Sequence, residues 1–107
     1  MIGFEAFENE AHDYPAAGIT VSAEGELEGP FYTAEDLSGF DMEATETNGL
    51  GAGAFVNVVP GDHVLTFEGG DCTLDFGIPA DQPNQGRVKV IADHWTQVNM
   101  NCPPSAR

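Results

Sequence analysis

Basic residues are nearly absent from this chain: Arg87, Lys89 and Arg107 stand against 18 Asp and Glu, for a formal net charge of −15. Such a surface repels phosphate backbones and anionic headgroups, which excludes nucleic acid and anionic membrane surfaces as partners. Long apolar runs are missing too. Nothing approaches the ~18 consecutive apolar residues of a membrane-spanning helix, so no membrane insertion is expected. Serine is scarce. Ser22, Ser38 and Ser105 are the only ones, and none stands in the G-x-S-x-G setting of an activated nucleophile. Met1-Ile2-Gly3-Phe4-Glu5 has neither a basic n-region nor an apolar h-region, so no secretory signal is read there.

Cysteine is limited to Cys72 and Cys102, with no C-x-x-C and no histidine beside either. That spacing does not suit a metal site. The pair reads as a disulfide, with two buried free thiols as the alternative, and Asp71 and Asp75 around Cys72 disfavour a reactive thiolate. A disulfide implies an oxidising compartment and hence a secreted, extracellular or cell-surface protein. Set beside the missing signal, this leads us to expect a mature or excised piece of an exported protein.

What the chain does have is turns. Its 107 residues carry 13 Gly and 7 Pro, a composition that favours many short strands in one domain, residues 1–107, over long helices. The stretch from Asn48 to Gly69 reads as the organising β-hairpin. The glycine run Gly49–Gly53 bends the chain, a strand follows over Ala54–Val59, and His63–Phe67 returns as its partner. Val59-Pro60-Gly61-Asp62 fits a type II turn, because Pro60 presets φ and Gly61 tolerates a positive one.

Around that hairpin, Ile2–Glu8 reads as a strand or an extended arm. Gly18–Glu24 alternates cleanly, with Ile19, Val21 and Ala23 on one face. Phe31–Thr33 starts another strand, and Ala34–Asp41 is left between a helical turn and a loop. Met42–Thr47, Cys72–Ile78, Arg87–Ile91 and Trp95–Cys102 complete the set, the last with Val98, Met100 and Cys102 on one side. Strands at roughly ten-residue spacing predict an all-β, seven- to eight-stranded antiparallel β-sandwich.

Thr45 to Gly49, Gly53-Ala54-Phe55, Asn57 to Gly61 and Val64 to Phe67 together resemble the carboxypeptidase regulatory-like, or transthyretin-like, domains. Their T-x-x-x-G-x-F-x-N-x-x-P-G pattern follows a G-x-x-V strand similar to Gly18-Ile19-Thr20-Val21. The resemblance covers Ala17 to Phe67. It implies a Greek-key arrangement, immunoglobulin-like in outline, serving as a non-catalytic module in exported proteins. Ureide-hydrolysing relatives carry a C-terminal Tyr-Arg-Gly-Ser motif, whereas this chain reads Asn101-Cys102-Pro103-Pro104-Ser105, so that activity is not carried over.

The remaining candidates are few. Glu35, Asp36, Asp41 and Glu43 cluster around one loop and offer oxygen ligands for calcium, but without a D-x-D-x-D-G loop a solvated acidic segment is the plainer account. His12, His63 and His94 have no local ligand spacing and read as surface or turn-supporting residues. Trp95, with Tyr14 or Tyr32, can stack on a sugar if exposed, although a small sandwich has more use for a core tryptophan. No catalytic residue and no cofactor emerges. The expected role is structural or recognitive, with neighbouring domains, identical subunits or a polysaccharide as partner. Two specific forms of it are a carbohydrate-binding module and a fibre subunit, the latter donating Ile2–Phe7 to a neighbour's sheet edge.

Overall fold

The computed structural model describes residues 1–8, 14–34, 36, 38–92 and 94–103. Among them there are ten strands and no helix. Six strands form one sheet in the order β4 (Phe40–Asp41), β3 (Glu28–Thr33), β5 (Ala52–Val56), β1 (Ile2–Phe7), β10 (Thr96–Asn101) and β7 (Thr73–Phe76). Four form the other: β2 (Thr20–Ala23), β6 (Gly61–Glu68), β9 (Gln85–Val90) and β8 (Ile78–Pro79). Alternation places the strands much as the sequence suggests. Val21, His63, Leu65, Phe67, Val88, Val90, Val98 and Met100 are buried, while Arg87 and Lys89 face solvent.

The two sheets share one core. Phe4 from β1 meets Phe67 from β6 edge to face at 5.9 Å and Phe55 from β5 at 5.7 Å. Ile2, Leu65, Val98 and Met100 are fully enclosed around them. Each such side chain contributes about 1.5–3 kcal/mol by leaving water. One hydrogen bond also crosses the core, from the Val21 N–H to the Tyr32 hydroxyl oxygen at 3.1 Å.

Four expectations about the strands are corrected. The first is the hairpin. Ala52–Val56 bonds to β1 and β3, whereas Gly61–Glu68 bonds to β2 and β9 in the other sheet. The segment is therefore an arch that carries the chain across the core. Asn57 stops the first strand by adopting a left-handed φ of 50°, which is why Val58 and Val59 do not extend it. Gly61 has the positive φ foreseen for it, 133°, but its turn joins layers and not neighbouring strands. His63 holds the arch shut, with Nδ1 2.8 Å from the Glu24 carbonyl oxygen and Nε2 2.7 Å from that of Val59.

The second correction concerns direction. β1 runs parallel to β10, with Ile2 opposite Thr96 and Phe7 opposite Asn101, so the sheet is mixed and not wholly antiparallel. The same strand pairs antiparallel with β5 on its other edge. Ile2–Phe7 is thus a buried central strand of its own sheet, not a free arm.

The third is Met42–Thr47, which forms turns and no strand. Its last residue works as a buried pin. Thr47 Oγ1 accepts the Ile19 N–H at 3.0 Å and donates to the Ala16 carbonyl at 2.8 Å. The strand expected over Cys72–Ile78 also divides. Gly77, at φ 139°, ends β7 in one sheet and lets β8 begin in the other.

Candidate functional site

The disulfide is formed. Cys72 and Cys102, thirty positions apart, are bonded at 2.05 Å, just before β7 and just after β10. The bond ties an edge strand to its neighbour and leaves neither sulfur as a thiol.

The acidic loop is exposed and bonded to itself. Asp36 Oδ1 accepts the Ser38 N–H at 3.0 Å, and Asp41 Oδ1 accepts that of Glu43 at 3.1 Å. The Ser38 hydroxyl, and then its N–H, hold the Asp36 carboxyl below its ordinary value. Glu35 lies outside the described residues, as does His12. Among the described residues no group of three His, Cys, Asp or Glu side chains is placed to hold a metal ion. His63 is committed to the arch, and His94 Nδ1 lies 2.8 Å from the Ala92 carbonyl oxygen on the surface.

Trp95 is not a core residue. It is 61% exposed, because Phe4, Phe55 and Phe67 already fill the interior. The sheet shows where the ring sits instead: Gly3 lies opposite Gln97 on the parallel strand, and the edge of the indole occupies the space a Gly3 Cβ would need. Any larger residue at position 3 would evict the ring or Gln97. Tyr32 is buried, so it cannot join Trp95 on the surface, and burial raises its phenol above the ordinary value.

Beside the indole runs a row of amides. Trp95 Nε1–H donates to Gln97 Oε1 at 2.9 Å, and Gln97 Nε2–H donates to Asn99 Oδ1 at 2.8 Å. Asn101 continues the same side of β10, with its Oδ1 buried and lacking a partner among the described residues. Met1, Asn57, Val58, His94 and Trp95 line an open cleft of about 460 Å³. Asn57, the one non-glycine residue with positive φ among those described, faces this cleft.

Register fixes what else shares the outer side of the six-stranded sheet. Gly3 aligns with Ala54 and Gln97, Glu5 with Ala52 and Asn99, and Phe7 with Asn101. Glu5 is therefore the single ionisable side chain contributed to this side by the three central strands. The amides at 97, 99 and 101 were legible in principle, since they alternate with Val98 and Met100. Gly3 and Asn57 were not, because both act through contacts distant in sequence. No family model, no curated protein and no solved structure matches this chain.

Proposed function

We propose that this chain is a non-catalytic recognition module, a Greek-key β-sandwich of the extracellular environment that docks a macromolecule on the outer side of its six-stranded sheet. The observation that carries the reading is local loss of charge. In a chain with 18 acidic residues, the central strands β5, β1 and β10 offer that side only Glu5, next to a braced and exposed tryptophan. A surface shaped for solubility alone would share the general acidity. Interface centres are instead depleted of charge and enriched in aromatic residues.

Supporting features point the same way. The sulfurs are joined to each other and His63 is locked against two backbone carbonyls, which leaves these groups to structure and not to chemistry. A disulfide suits an oxidising compartment. Crossings such as β5 to β6 and β9 to β10 suit a two-layer Greek key. The residue pattern between Ala17 and Phe67 resembles that of carboxypeptidase regulatory-like modules, although the segment folds here as an arch, and on that resemblance we assign the chain a comparable scaffold role.

The test is adhesion of labelled protein to surfaces coated with extracellular proteins and, separately, with cell-wall polysaccharides. The paired variant Trp95→Ala/Gln97→Ala should lose adhesion, whereas Lys89→Ala, on the four-stranded sheet, should retain it. Equal adhesion by both variants, or none by the native chain on any surface, rejects the reading.

A further inference from the structure

The chemistry around Trp95 is more specific than a generic docking patch. An indole gives an apolar face with a polar tip, and here the tip is already satisfied by Gln97. Its bond to Gln97 and its seat over Gly3 fix the ring while leaving it 61% exposed. Orientation is thus settled before any partner arrives, so little side-chain freedom remains to be lost on binding.

Along β10 the polar groups next to that ring are amides, while His94 and Met1 line the cleft with it. Each amide offers two donor hydrogens and two acceptor lone pairs, and the single bond that joins Gln97 to Asn99 leaves capacity on both. Asn57, which lines the cleft with Trp95, adds a third. Groups that both donate and accept, without carrying charge, complement hydroxyls, which do the same. A surface that alternates C–H faces with hydroxyl edges is that of a sugar ring. An apolar peptide would instead call for hydrophobic pockets, and a basic one for a cluster of carboxylates where the three central strands give this side only Glu5.

Net charge narrows the sugar. At −15 the molecule repels uronate and sulfate polymers. We infer that Trp95, Gln97, Asn99 and Asn57 form a binding site for a neutral glycan chain, with the indole against one sugar ring and the amides on the hydroxyls of that ring and the next. This rests on the recognition reading and narrows its partner. The open shape of the cleft suits an internal stretch of polymer, which enters and leaves along the surface, over an enclosed end group.

Native gels cast with galactomannan, xyloglucan, mixed-linkage β-glucan or soluble starch provide the test, with polygalacturonate as the acidic control. Trp95 is the sole tryptophan, so its emission reports on the site directly. At least one neutral polymer should retard the chain and shift that emission, and polygalacturonate should do neither. Trp95→Ala should weaken retardation at least tenfold and Asn99→Ala several-fold, with melting temperatures near the native value. Asn99→Ala removes no part of the core, so it stays informative if the tryptophan variant folds poorly. Absence of retardation and emission change with every neutral polymer overturns the inference, as does native-like binding by Asn99→Ala together with a folded Trp95→Ala. Adhesion to protein coatings that is lost in Trp95→Ala/Gln97→Ala, with no response to any glycan, overturns this inference alone and leaves the recognition reading in place.

Discussion

Tyr32 joins the two sheets through one oxygen atom. Its hydroxyl, carried by β3, receives the N–H of Val21 on β2, and both residues are buried. Tyr32→Phe keeps the ring but strands that N–H away from water, so a loss of about 1–3 kcal/mol is expected in urea unfolding. The same phenol sets an alkaline limit. Burial foremost, helped by the negative charge of Glu46 and opposed by the Val21 N–H, raises it above its ordinary 10.0. The unfolded chain therefore loses this proton first. Its contribution to stability is full below about pH 10 and declines as pH climbs through the folded-state value. Urea midpoints measured across that range should fall in the native chain, and the part due to this residue should vanish in Tyr32→Phe.

Asp36 works in the opposite sense at acid pH. Its carboxyl is held below the ordinary 3.8 by Ser38, so its contribution is present above that value and disappears as pH falls through the lower, folded one. In Ser38→Ala the Asp36 carboxyl should titrate at higher pH, nearer the ordinary value, which side-chain NMR can follow.

Among the elements, β7 depends most on a covalent tie. It is an edge strand whose pairing with β10 is interrupted by a register shift between Asn99 and Met100, and Cys72–Cys102 closes the loop beside it. By loop-closure entropy, Cys72→Ala/Cys102→Ala should cost about 3–4 kcal/mol. Hydrogen exchange should quicken first in Thr73–Phe76, while β1 and β5 stay protected until global unfolding. At this scale the limits of sequence reading are also plain. Alternation over Gly18–Glu24, Arg87–Ile91 and Trp95–Cys102 marks strands because burial of every second residue is a local pattern. Pairing is not local. The Ala54–Val59 and His63–Phe67 patterns are the same for a hairpin as for an arch, and the outcome turned on Asn57 and on His63 meeting Glu24. Trp95 looked like core material for a related reason: its true neighbour, Gly3, lies at the opposite end of the sequence. The amide row shows the converse, since Gln97, Asn99 and Asn101 alternate in plain view.

For the whole molecule, β1 is the strand that joins one half of the larger sheet to the other. On one side stand β5, β3 and β4, and on the other β10 and β7. Removing residues 1–7 would take out Ile2, Phe4 and Ala6 from the core and leave two sheet edges facing a gap. Such a chain should show no cooperative melting transition, and a synthetic Ile2–Phe7 peptide supplied in excess should restore one, by circular dichroism.

The parallel course of β1 and β10 has a mechanical consequence. A pull applied ahead of Ile2 and behind Asn101 drags the two strands past each other along their length, because each is gripped at the opposite extremity of the pair. All six opposed positions then bear load together and must rupture as a set, whereas an antiparallel pair gripped at one end would peel open bond by bond. Stretched between its two ends in an optical trap, the domain should yield abruptly at high force, as a fastening and not as a zip.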